Sequence, residues 1–171
     1  MTVIVQKPEF NLREKLSELE FGTLPYQKMP IGSILQVQYA QTKTQQVTTS
    51  QSFVDATNMF VDISPRFASS KMLITVHTVG QISGNRARFD IHKSTTNSRI
   101  SGHSNDNNQD YSISAFEGNA INHSVNFTIR DTADTTGVIR YKLQFNNTGG
   151  SQTFVQGSYS VGTITVMEIK Q

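Results

Sequence analysis

With 171 residues and 36% hydrophobic content, the chain has room for one domain with a modest core plus a short appended segment. Charged residues make up only 16% while Ser, Thr, Asn and Gln fill 63 positions, which excludes a highly charged disordered chain and fits a β-domain with polar, uncharged faces. A net charge of +2 implies no nucleic-acid partner, and the lack of cysteine excludes disulfide staples, thiolate metal sites and a cysteine nucleophile.

The chain opens with MTVIVQKPEF, which has neither a basic leader nor an apolar run long enough for a signal peptide; export by the ordinary secretory route is not expected. No run approaches 18 apolar residues, so no membrane insertion is expected either. Residues 11–20, NLREKLSELE, carry helix signals: Asn11 as N-cap, Glu14 three residues on as in a capping box, and Gly22 as a C-terminal stop. Leu12, Leu16 and Leu19 fall on one narrow stripe. So short a helix is marginal alone in water, so the stripe must pack on something. Pro25, Pro30 and Gly32 punctuate the next stretch, setting residues 1–32 apart as a helix and linker from a body over 33–171.

From there, period-two alternation dominates. Leu35, Val37 and Tyr39 begin it; Met59, Val61 and Ile63, then Met72, Ile74 and Val76, then Ala87, Phe89 and Ile91 continue it. Val125, Phe127 and Ile129, then Ile139, Tyr141, Leu143 and Phe145, and finally Ile164 and Val166 complete it. With weaker runs at 44–49, 112–116 and 153–157, eight to ten strands are expected. No helical pattern separates them, so the expected fold is all-β, an antiparallel β-sandwich of jelly-roll type behind a short N-terminal helix and linker.

Few residues carry a chemical signal. His77, His92, His103 and His123 have no metal-ligand spacing among them, and there is no nucleophile elbow, phosphate loop or zinc-protease motif; no catalytic residues, metal or cofactor are expected. Asp106, Asn108, Asp110 and Glu117 stand at EF-hand ligand positions, but Tyr111 occupies the place that requires Gly. The sequons at Asn122, Asn126 and Asn146 are coincidences of a chain rich in Asn, Ser and Thr. The long polar stretch 94–111 is either a solvated loop or a recognition surface, in which His103, Asn105, Asp106, Asn108, Asp110 and Tyr111 would offer hydrogen bonds and a stacking ring to sugar hydroxyls.

NLREKLSELE (11–20), MPIGSILQVQYAQTKT with DISPRFASSKMLITV (within 29–76) and the closing VMEIK (166–170) resemble virion proteins of tailed phages from marine and cyanobacterial settings. The resemblance implies a structural protein located in the virion, a tail-fibre or appendage β-domain, trimeric; the absence of every local catalytic signature makes a non-enzymatic role the expectation. On that view Leu12, Leu16 and Leu19 attach the β-body to other virion proteins, unless they cover an open end of their own sandwich. Two rival readings remain: a module binding a host receptor or surface glycan, and a capsid decoration, ring or adaptor protein.

Overall fold

The computed structural model describes residues 25–101, 113–156 and 160–171, with the backbone alone at Ser114, Asn119, Ala120 and Ile121. The chain divides into two units, Met1–Pro30 and Ile31–Gln171. The expected helix over 11–20 lies outside the described residues; in the first unit they show a single 3₁₀ turn, Tyr26–Lys28, entered through Pro25.

In the second unit every described strand pairing is antiparallel. Among the described residues its strands are β1 (Ile34–Thr42), β2 (Gln46–Thr48), β3 (Val54–Ile63), β4 (Lys71–Lys93), β5 (Ser98–Arg99), β6 (Ser114–Thr132), β7 (Ile139–Asn147), β8 (Thr153–Val155) and β9 (Gly162–Ile169). The 23-residue β4 is the spine. Along one edge it pairs with β6 from Lys71↔Thr132 to Phe89↔Ser114. Its other edge is taken in turn by β9 at Lys71–His77, β8 at Gly80–Ile82 and β7 at Ala87–Lys93. β1 then extends β9, and β3 extends β7. The result is the expected all-β, sandwich-like fold, with one antiparallel sheet curling nearly into a barrel.

Two runs that the sequence presents as separate strands, 72–76 and 87–91, are one strand. What divides them is a change of face. Met72, Ile74, Val76 and Ile82 point inward at even positions, and Ala87, Phe89 and Ile91 at odd ones. The register against β6 shifts between Ser83 and Arg86, where Gly84 and Asn85 take positive φ of 142° and 62°. One irregular step exchanges the faces of a strand. β6 also joins two runs, with Phe116 and Val125 inward on either side of Gly118 and Asn122, both at positive φ.

The core is the sum of these inward rows: Met59, Phe89, Tyr141, Leu143, Phe145, Ile164 and Val166 are each fully buried. The Phe89 ring stacks on Phe116 and Phe145 at centroid separations of 5.7 and 6.3 Å. At one end, buried Glu168 of β9 ties down the β3–β4 connection. Its Oε1 accepts from the backbone N–H of Arg66 (2.8 Å) and Phe67 (3.2 Å) and from Ser70 Oγ (2.7 Å), and its Oε2 accepts from Gln36 Nε2 (2.7 Å).

Candidate functional site

The two outer faces of the sheet differ in kind. Across β1, β9, β4 and β6 the register places outward side chains in rows: Ile34–Ile169–Lys71–Thr132, then Val37–Met167–Leu73–Arg130, then Tyr39–Thr165–Thr75–Thr128. Tyr39 is 70% exposed, Ile34 52% and Val37 48%, while Leu73, Met167 and Ile169 are half-buried. Isolated exposed apolar residues are ordinary. Six contiguous ones on a sheet face of so polar a chain mark an interaction surface. Below them the rows turn to threonine, and Thr75 and Thr128 share a hydrogen bond at 3.1 Å. His77 comes next, exposed and hydrogen-bonded to Asn126.

The opposite outer face, built by β3, β7 and the second half of β4, is charged and internally satisfied. Arg140 reaches both oxygens of Asp62 (2.7 and 2.6 Å) while lying over the Phe60 ring, and its hydrogen bonds hold the Asp62 carboxyl below its usual value. Lys142 and Gln144 converge on Asp55, outweighing the effect of burial and lowering its pKa.

Part of this face is covered, which the alternation of Arg86, Arg88 and Asp90 with apolar residues does not foretell. Asp90 is fully buried, accepting from Ser101 Oγ (2.6 Å) and the Ile91 N–H (2.7 Å). Burial dominates there and pushes its carboxyl above the ordinary value, against those hydrogen bonds and the charge of Arg99. Arg99 and Arg88 lie over the Phe53 ring, 4.2 and 5.6 Å from its centroid. His92, next along β4, is half-buried, and its Nδ1 is buried without a partner.

Two further polar groups stand apart from the faces. Lys93 points inward, its Nζ 2.8 Å from Asp131, 2.7 Å from Asp134 and donating to the Thr132 carbonyl at 2.6 Å. Burial opposes its ammonium, but the two carboxylates outweigh burial and raise its pKa. Tyr141 donates its hydroxyl to Asp131 (2.8 Å), and burial followed by the charge of Asp131 drives its pKa upward. An open groove of about 460 Å³ lies among Asn85, Arg86, Glu117, Gly118 and Thr148, with Arg86 and Glu117 ion-paired.

Leu12, Leu16 and Leu19 lie outside the described residues, as do His103, Asn105, Asp106, Asn108, Asp110 and Tyr111. Of the EF-hand-like set, Glu117 is described: it sits in β6 paired with Arg86, on a strand where an EF-hand has a helix. No group of three metal-ligating side chains occurs among the described residues. Asn146 of the third sequon is fully buried and donates to the Gln51 carbonyl, which leaves no room for a glycan. Of the apolar rows, sequence reasoning had Val37 and Tyr39 only as strand residues. Val37 and Tyr39 stand on the apolar parity of β1, opposite Gln36 and Gln38, but that this parity faces outward, and that the register adds Met167 and Leu73 to it, is not in any one segment. No protein-family model matches the chain, and no curated protein matches it in sequence.

Proposed function

We propose that this chain is a non-enzymatic structural protein of a phage virion, a tail-fibre or appendage module that works by making protein contacts. The observation that carries the reading is the contiguous apolar rows of Ile34, Val37, Tyr39, Leu73, Met167 and Ile169 on one outer face, the first three of them exposed. A body with polar faces elsewhere and one such surface is built to be placed against another protein. The resemblance of 11–20, 29–76 and 166–170 to tailed-phage virion proteins supplies the setting, with the chain as a homotrimer bound to other virion proteins.

Immunogold electron microscopy of intact particles, with antibody raised against residues 33–171, tests this. Label at tail or fibre ends is the expected result. Label over the capsid selects the decoration, ring or adaptor reading, and particles without label overturn the virion role. The groove at Asn85, Arg86, Glu117, Gly118 and Thr148 favours a second reading, a host-surface glycan site, because its lining offers amide, guanidinium, carboxylate and hydroxyl groups to sugar hydroxyls. A glycan array probed with the full chain and with Glu117→Gln tests it; binding unaffected by the substitution removes the groove from consideration.

A further inference from the structure

Among the described residues β6 is an edge strand: β4 pairs along one side of it and no strand along the other. Its register against β4 is unbroken from His123 to Thr132, a straight run about 30 Å long. One step past that run, the Ala133 N–H donates to the Ser70 carbonyl, which fixes the phase of the ladder. Odd-numbered residues of the run bond to β4, and Ser124, Asn126, Thr128 and Arg130 aim their N–H and C=O away from it. Proteins close such edges with proline, lysine or a bulge. HSVNFTIRDT contains neither proline nor lysine, and the register shift lies beyond its end, between Gly80 and Ile82. Phe127 and Ile129 pack on the core from this edge and are only half-buried.

The run is complementary to itself. Inward side chains meet inward ones only if a two-fold axis passes through a residue rather than between two. Centred on Phe127, such an axis sets Val125 against Ile129 of a second copy, Phe127 against Phe127 and His123 against Asp131. On the outer side it sets Ser124 against Arg130 and Asn126 against Thr128. Apolar meets apolar, and no charge meets its like. Centred on Thr128 or Ile129, the axis would set Asp131 against Val125 or Phe127; centred on Arg130 or Asp131, it would oppose like charges.

We propose that β6 pairs antiparallel with β6 of a second copy about the axis at Phe127. Ser124–Arg130 and Asn126–Thr128 are then the pairs that exchange backbone hydrogen bonds, and the inward residues take the intervening positions, where side chains stand closest. β1, β9, β4 and β6 of both copies form one continuous sheet, with the apolar outer rows of the two on the same side. The contact goes beyond the virion role. Being isologous, it joins two copies or, with the homotrimer proposed above, two trimers.

Sedimentation equilibrium of the full chain at tens of micromolar is expected to give wild type twice the mass of Thr128→Pro. The proline removes an N–H that faces outward and none that bonds to β4, so the thermal melt of the β-domain stays unchanged. If that variant loses its melt, Ser124→Arg decides instead. It opposes Arg130 of the second copy and is expected to weaken association at least tenfold, and Arg130→Glu added to the same chain restores it. The chain has no cysteine, so introduced ones read the register directly. Asn126→Cys and Thr128→Cys copies mixed under mild oxidation are expected to link by a disulfide, at the Cα spacing of about 5.5 Å of a hydrogen-bonded pair, and neither links alone. A wild-type chain with the mass of Thr128→Pro overturns the proposal and leaves the edge to a strand of another protein. Copies that link no faster mixed than alone overturn it as well.

Discussion

Replacing Glu168 removes the one acceptor on which four donors from distant segments converge. It is fully buried in β9, and Arg66 N–H, Phe67 N–H, Ser70 Oγ and Gln36 Nε2 all donate to it at 2.7–3.2 Å. Hydrogen bonds to a charged acceptor contribute about 1.5–3 kcal/mol each when measured singly, but they share one anchor and do not add. Glu168→Ala is expected to cost about 3–5 kcal/mol, the range for breaking a buried charge network from one side. Glu168→Gln keeps an oxygen for Arg66, Phe67 and Ser70 but sets an amide N–H₂ against Gln36 Nε2. Gln36 cannot simply turn over, since the same nitrogen donates to the Ser64 carbonyl at 2.7 Å. That variant should cost about 1–2 kcal/mol, one mismatched bond.

Urea unfolding at pH 7 reads both costs. With a slope of about 1.5–2 kcal/mol/M, the alanine variant lowers the midpoint by about 1.5–3 M, with the slope unchanged. An alanine variant within about 1 kcal/mol of wild type would refute the view that this carboxylate anchors the connection. A glutamine variant as damaging as alanine would refute the geometry assigned to Gln36.

Gly80→Ala should lose about 1–3 kcal/mol in the same assay, because a Cβ there stands 2.8 Å from Phe116 Cζ and 3.2 Å from Val125 Cγ2, both packed in the core. Gly149→Ala should lose less than about 1 kcal/mol: its Cβ meets the Asn85 side-chain amide, which can swing away at the expense of its hydrogen bond to Ser151 Oγ, and the visible change is in the NMR shifts of Asn85. Lys93→Met deprives Asp131 and Asp134 of their cation. Because the carboxylates keep 20% and 39% exposure, the cost is expected at about 2–4 kcal/mol, below that of a fully buried pair, and calorimetry reads it as a lower Tm. Asp90 gives a pH test. Burial raises its native pKa above the unfolded value near 3.8, so its contribution to stability is complete below 3.8 and is lost as pH rises through the native value. The stability of wild type minus that of Asp90→Asn should therefore fall as pH rises above about 3.8; a difference that stays flat or rises contradicts the assignment.

ISPRFASSK and VMEIK meet through Glu168, which binds Arg66, Phe67 and Ser70 about a hundred positions away. Either segment alone is compositionally ordinary.

Period-two alternation was enough to settle the class of fold, because a residue's side of a pleated strand depends only on its parity within that strand. The inward rows of β3, β4, β7 and β9 could thus be named from the sequence: Met59, Val61, Met72, Ile74, Tyr141, Leu143, Ile164 and Val166 are all buried. Even the exchange of faces in β4 was written in the change from even to odd positions between Val76 and Ala87, although a bulge and a break produce the same pattern. Pairing was decided only in three dimensions, because strand order depends on contacts between residues far apart in the chain. It is pairing that lays Val37 beside Met167 and Leu73 and gathers four donors on Glu168, and it is tertiary packing that buries Asp90 beside Ser101 and Arg99 on a face the sequence presents as open. The interaction surface belongs to that second kind of information: each of its side chains is unremarkable within its own strand, and the patch exists only once β1, β9 and β4 lie in register.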